Sequence, residues 1–185
     1  MKKILLILLA LPLVCSFFAC SDDEEQNTWE TYKDWREDNE AWLLEQAARE
    51  ETPGKAYYTR VVPSWNSGVY VLMHWFNDRE QTKGNLVPLL TSTVDVKYHG
   101  RLYNDEPFDS SYLRIEPADS IFRTKLTAVV EGWAIALQHM HVGDSVEVVI
   151  PQNLGYGASG SGQYIKPYSA LIFGIKLVDI NKYEK

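Results

Sequence analysis

Two patterns in this chain invite a chemical reading at first sight: the run Gly155-Tyr156-Gly157-Ala158-Ser159-Gly160 and the pair His139-Met140-His141. The first has the literal form G-x-G-x-x-G, in which glycines let a backbone approach a pyrophosphate at the start of a helix. The run leads instead into Ser161-Gly162-Gln163-Tyr164-Ile165-Lys166-Pro167, which cannot supply that helix, so nucleotide binding is set aside. The histidine pair could offer two imidazoles to a metal. It stands before the turn Val142-Gly143-Asp144 without a cysteine or carboxylate cluster beside it, and reads as a surface turn. No serine or cysteine lies in a nucleophile elbow. Asp109, between Phe108 and Ser110-Ser111, has the setting of a turn cap when read alone, and Tyr156, between glycines, that of a loop anchor. What remains is chemistry done by rings and hydrogen bonds: the chain holds 11 Tyr, 6 Trp and 6 Phe, enough to build a core or a cleft from aromatic walls.

Such residues need a scaffold, and hydrophobic periodicity indicates one. From Trp29 to Glu51 there is no Gly or Pro, and Trp35, Asn39, Trp42, Leu43 and Gln46 recur at helical spacing after Thr28 as N-cap. Asn39 and Gln46 interrupt the apolar stripe. This helix could pack on the main domain, space it from a membrane, or pair with a second copy. Thr52-Pro53-Gly54 stops it. Strand-like runs come next at Tyr57 to Val62, Gly68 to Phe76 and Thr91 to Tyr103. In the last, Val94, Val96 and Tyr98 share one face and Asp95, Lys97 and His99 the other. Glu131 to Gln138 is a short apolar helix, Ser145 to Ile150 and Ala170 to Ile180 are strands, and Pro151 to Ser169 is a long loop. The order predicts an α+β fold with an antiparallel sheet.

The formal charge of −7 over 185 residues makes nucleic acid a poor partner, because an acidic surface repels phosphates. Both cysteines, Cys15 and Cys20, lie in the first twenty residues, which excludes a disulfide framework or a cysteine zinc site in the folded part. Lys2 and Lys3 precede an apolar run from Ile4 that ends at Phe17-Phe18-Ala19-Cys20. Its length and flanks suit a secretory signal better than a membrane span. The ending resembles a bacterial lipobox, with Phe17 in place of the usual Leu, which implies lipidation of Cys20 and cleavage before it. An ordinary signal peptide that leaves a free thiol is the alternative. The acidic run Ser21-Asp22-Asp23-Glu24-Glu25 reads as a solvated tether within a flexible spacer over 21–28, and also resembles the export signal of surface lipoproteins.

Four segments in order carry a more specific signal: Val96-Lys97-Tyr98-His99-Gly100 with Pro107-Phe108-Asp109-Ser110-Ser111; Val129-Val130-Glu131-Gly132-Trp133; Met140-His141-Val142-Gly143-Asp144; and Ile150-Pro151, Tyr156 to Gly160, Ile165-Lys166-Pro167 and Ala170-Leu171-Ile172-Phe173. Together they resemble the FKBP-type peptidyl-prolyl cis-trans isomerase family. The resemblance implies an FKBP-like antiparallel sheet curved around a short helix, with an N-terminal helical extension. Taken with the lipobox, it divides the chain into a lipoprotein signal peptide (1–19), an acidic tether with the N-terminal helix (20–56) and the isomerase domain (57–182). It implies that Tyr98, Phe108 and Phe173 wall a prolyl pocket with Trp133 at the floor, and that Val129 and Val130 form an apolar lip. Asp109 would stand in the wall, Tyr156 would hydrogen-bond a substrate carbonyl, and Ile165 would sit above the pocket. Counting back from Trp133 places Ser120 where the family usually has a Phe, with Ile121 and Phe122 adjacent, and Ser161 where some members have a His. The activity implied is rotation about X-Pro bonds in exported or envelope proteins, without metal, nucleotide, other cofactor or covalent intermediate. The alternative is a proline-segment binding module or chaperone with little or no turnover. Proline-containing polypeptides are the expected partners, and macrolides a candidate ligand class. A membrane is the expected partner of the lipidated Cys20, and the likeness to bacterial lipoproteins points to the outer one.

Overall fold

A computed structural model describes residues 22–113, 116 and 120–182 of the chain. The signal sequence and Cys20 lie outside the described residues. Two helices come first, α1 (Asp22–Thr31) and α2 (Lys33–Ala48). The spacer expected over 21–28 is therefore helical from Asp22, and the single helix expected from Trp29 to Glu51 is divided at Tyr32. The cause is tertiary. The Trp29 ring meets Tyr168 edge-on at 5.3 Å and lies under the Arg36 guanidinium at 3.5 Å, which ties α1 both to the loop ahead of the last strand and to α2. After Ala48 the backbone turns extended at Arg49, and β1 (Glu50–Thr52) pairs with β2 (Lys55–Ala56) around Pro53-Gly54, with Gly54 at φ +81. The Pro-Gly stop signal is thus the turn of a small hairpin.

The remaining strands are β3 (Thr59–Val61), β4 (Val71–Trp75), β5 (Thr93–Leu102), β6 (Pro107–Ser110), β7 (Phe122–Lys125), β8 (Ser145–Ile150) and β9 (Leu171–Lys182), with helix α3 (Glu131–Leu137) between β7 and β8. The main sheet runs β3-β4-β8-β9-β5-β6, with β7 on the same edge of β5 as β6, and every pairing is antiparallel. Beside β9, β5 pairs with β7 through Thr93 to Val96 and with β6 through His99 to Arg101. Strand alternation assigns each side chain to a face. Val71, Met73, Val146, Val148, Ile150, Phe173, Ile175 and Leu177 are buried with α3 on one face, beside Val94, Val96 and Tyr98. Leu72, Val149 and Ile172 are buried on the other, under Trp42, Leu43 and Ala47 of α2. The sheet is therefore covered on both sides, and α2 serves as a packing element of the domain. Among the described residues no helix is long and apolar enough to cross a membrane.

Three local features hold this arrangement. Gly132 lets α3 approach the sheet, since a Cβ there would lie 2.3 Å from Ile150 Cγ2. Asp95, on the strand face opposite Val94 and Val96, is buried, and both its oxygens accept from the Arg123 guanidinium at 2.7 Å, which fastens β7 to β5. Asp144, fully buried, accepts from Thr82 Oγ1 (2.5 Å), Asn77 Nδ2 (3.0 Å) and the His141 N–H (2.8 Å), joining the segment after β4 to the turn between α3 and β8.

Candidate active site

A cavity of about 570 Å³ opens between the face of the sheet that packs on α3, α3 itself and the loop ahead of β9, and all nine pocket residues expected from the sequence line it. β5 supplies Tyr98, β6 Phe108 and Asp109, and β9 Phe173; α3 supplies Trp133, and the turn before it Val129 and Val130. Tyr156 and Ile165 come from the loop. Trp133 and Phe173 have ring centroids 5.1 Å apart, Tyr98 and Trp133 5.0 Å, and Phe108 and Phe173 5.3 Å, every pair edge to face. This geometry sets ring edges against ring faces and leaves an apolar recess between them. Trp133 is almost fully buried, and its indole N–H meets no acceptor among the described residues, so the floor carries one unused donor.

The polar part of the wall is equally defined. Asp109 Oδ2 accepts from the Tyr98 hydroxyl at 2.5 Å, and Oδ1 from the Ser110 N–H at 2.7 Å. Ser111, fully buried, accepts from the Tyr98 N–H at 2.9 Å and donates its own N–H to the Tyr98 carbonyl at 2.9 Å. The Phe-Asp-Ser-Ser segment thus carries a ring, a carboxylate and a clamp on the backbone of the residue whose hydroxyl the carboxylate holds. On β5, Gly100 lies opposite Asp109 of β6 and Phe173 of β9. A Cβ at Gly100 would lie 2.6 Å from the Phe108 ring and 2.8 Å from the Phe173 ring, so both rings close over a residue with no side chain.

One wall differs from the sequence expectation. Ser120 does not stand in it: the residue is buried in a left-handed turn at φ 62, with its hydroxyl 3.4 Å from the Tyr112 carbonyl. The pairing of Phe122 with Val96 sets that ring 5.5 Å from Tyr98, and Phe122 lines the cavity, so the wall has its aromatic residue after all. Counting along the chain misses this because strand register, not distance from Trp133, decides which ring faces the pocket. Ser161 lines the cavity as counted, and Ala128, Gly162 and Tyr164 join it without a sequence signal. The histidine pair lies elsewhere: His139 Nδ1 is 2.8 Å from the Ile135 carbonyl oxygen, and His141 Nδ1 is 3.6 Å from Asp144 Oδ2.

Residues 87–178 match the family model described as FKBP-type peptidyl-prolyl cis-trans isomerase. The chain belongs to the FKBP-type peptidyl-prolyl cis-trans isomerase family. Over 94 residues it is 42% identical to the FKBP-type 22 kDa peptidyl-prolyl cis-trans isomerase of Escherichia coli K12, covering 51% of this chain and 44% of that protein. It is 32% identical over 172 residues to FkpA, another FKBP-type isomerase of that strain, covering 89% of this chain and 59% of that one. Among solved structures, a peptidyl-prolyl cis-trans isomerase from Pseudomonas syringae superposes with a TM-score of 0.62 at 24% identity, over 82% of this chain and 96% of that chain. The crystal structure of FkpA from Escherichia coli gives 0.61 at 24% identity, over 88% and 74%. These two share the FKBP fold with the chain. The chain spans 44%, 38% and 40% of the length of the first three curated relatives. The FKBP match begins at Val87, so α1, α2 and the strands through β4 stand outside it.

Proposed function

We propose that this FKBP domain catalyses cis-trans isomerisation of X-Pro bonds in exported or envelope polypeptides. The single observation that supports this most is the convergence of Tyr98, Phe108, Trp133 and Phe173 on one recess, with Asp109 hydrogen-bonded to Tyr98 at its wall. A planar amide resists rotation by about 18–20 kcal/mol because its C–N bond is partly double. Twisting the bond reduces the charge separation across the amide, and water favours the planar form by solvating its carbonyl. A dry aromatic recess withdraws that solvation and binds the twisted proline ring in preference, which lowers the barrier without a nucleophile. Tyr156 and the Val130 N–H hold flanking carbonyls while the bond turns. Asp109 fixes the Tyr98 hydroxyl and sets the field at the wall; it transfers no proton. In this reading residues 1–19 are removed, Cys20 is lipidated at the envelope membrane, 20–56 join the anchor to the domain, and 57–182 carry the catalyst. The Phe122 wall favours macrolide ligands, since it restores the ring that counting along the chain leaves out.

The test is a proline-isomerisation assay on a short X-Pro peptide. The wild type accelerates exchange, Phe173→Ala abolishes the acceleration, and Asp109→Leu lowers kcat/KM about tenfold, the worth of one charge-assisted hydrogen bond. An unchanged rate in Asp109→Leu removes that carboxylate from the mechanism. Peptide binding with no acceleration by the wild type replaces the catalyst with a proline-segment binding module.

A further inference from the structure

We infer that the N-terminal helices are a brace for the substrate loop, and that Trp35 and Asn39 are positioning residues for Tyr156 and Ile165. This rests on the isomerase reading of the pocket and adds to it a part of the chain outside the family match. The loop is closed on itself at two places. At its base the Tyr168 N–H donates to the Gly157 carbonyl at 2.8 Å; nearer its tip Ser161 and Ile165 exchange backbone hydrogen bonds of 2.8 and 3.1 Å. Ile165, Tyr164 and Ser161 then line the cavity from above, and Tyr156 from the side. The loop has no regular strand to hold it, and Tyr156 and Tyr164 are substantially exposed.

The remaining support comes from α1 and α2. Trp35 donates its indole N–H to Ser169 Oγ at 3.1 Å, and Ser169 Oγ donates to the Lys166 carbonyl at 2.7 Å. The Lys166 ammonium lies 4.4 Å from the centre of the Trp35 ring. Asn39, buried, donates to the Trp35 carbonyl at 2.7 Å and accepts from the Ala170 N–H at 2.8 Å. The Trp29 ring abuts Tyr168, and α1 lies against the turn Gly157–Ser159. Each of these contacts falls on the loop, one to five residues from Ile165 or one to three from Tyr156 along the chain, while Trp35 also meets the Tyr103 ring edge-on at 5.0 Å. None falls on the aromatic floor. A helix that only covered the sheet would need apolar residues alone; the Trp35 indole N–H and the Asn39 amide oxygen have their partners where the loop runs into β9.

The flanking groups on the loop hold the peptide in ground and transition state alike, so loosening them raises KM more than it lowers kcat. In the full chain, Trp35→Phe and Asn39→Ala each raise KM for an X-Pro peptide about three- to tenfold, the factor that one or two ordinary hydrogen bonds are worth. kcat stays within about twofold. Amide exchange over residues 157–168 accelerates in both variants, while β5 and β9 keep their protection. Trp35→Phe removes the indole N–H but keeps an aromatic ring beside Tyr103, and so guards against loss of folding. Unchanged exchange over 157–168 with unchanged KM overturns the brace, as does a loss of protection spread evenly over the sheet. If the wild type binds the peptide without turning it over, the isomerase reading fails, and the brace is then judged by the peptide Kd and the loop exchange alone.

Discussion

Gly100→Val lowers kcat/KM about a hundredfold, the order of loss that a misplacement of roughly 1 Å at a reacting centre produces. Gly100 touches no substrate. Its effect comes from the space it leaves: the first carbon of any side chain there falls 2.6 Å from the Phe108 ring and 2.8 Å from the Phe173 ring. The contacted atoms are the outer edges of two rings, so the strand keeps its pairing and the rings swing away, into the recess they define. Overpacking of this kind costs about 1–3 kcal/mol, and a β-branched residue in a strand returns up to about 1 kcal/mol. The protein therefore remains folded while its pocket is deformed. Isomerisation kinetics beside a thermal melt separate the two effects. A variant with wild-type kcat/KM would show that the Phe108 and Phe173 walls are not part of the machinery.

Asp144→Asn removes about 3 kcal/mol of stability at pH 7, equivalent to about 6–12 °C in Tm for a domain of this size. Burial alone would push the Asp144 carboxyl up. The Thr82 hydroxyl, the His141 N–H and the Asn77 amide, with the Arg79 guanidinium nearby, outweigh it and hold the group below the ordinary carboxylate range. The native state therefore releases this proton more readily than the unfolded chain. The resulting stabilisation is complete above the unfolded value of about 3.9 and is lost as pH falls from there through the lowered native value. Urea unfolding at a series of pH values shows the gap between wild type and variant constant near neutrality and narrowing below about pH 4. A gap that does not change down to about pH 3 would mean that Asp144 takes up its proton equally readily in the native and the unfolded chain, and that the surrounding donors do not favour its ionised form.

Where a segment's local pattern and its surroundings agree, the structure was legible from the residues. Ser145–Ile150 is a strand with the bounds expected, because an apolar run after Val142-Gly143-Asp144 has nowhere else to go. Glu131–Leu137 and the alternation through Val94, Val96 and Tyr98 are of the same kind. β6 and β7 were invisible, being four residues each, too short to display a period and paired only through β5. The helix at Asp22–Thr31 was hidden because what holds it is Tyr168, well over a hundred residues away. The same holds in the pocket. Residue types and order located its nine expected members, whereas Phe122, the Ser111 clamp and the clearance at Gly100 depend on register across strands. Asn39 shows the opposite error: a polar residue that interrupts an apolar stripe looks like a defect, and it is the group that caps the Ala170 amide.

The place of β9 has a consequence for how the molecule comes into being. This strand lies between β8 and β5, with ten residues of β5 paired to it. Neither half of the sheet can join the other until residues 171–182 have been made. As the chain leaves the ribosome, its first 170 residues hold no continuous sheet and no complete aromatic recess, since Phe173 is still missing. The two halves of the sheet are therefore joined in a single closing event, and a chain cut short before β9 lacks both that junction and the Phe173 wall.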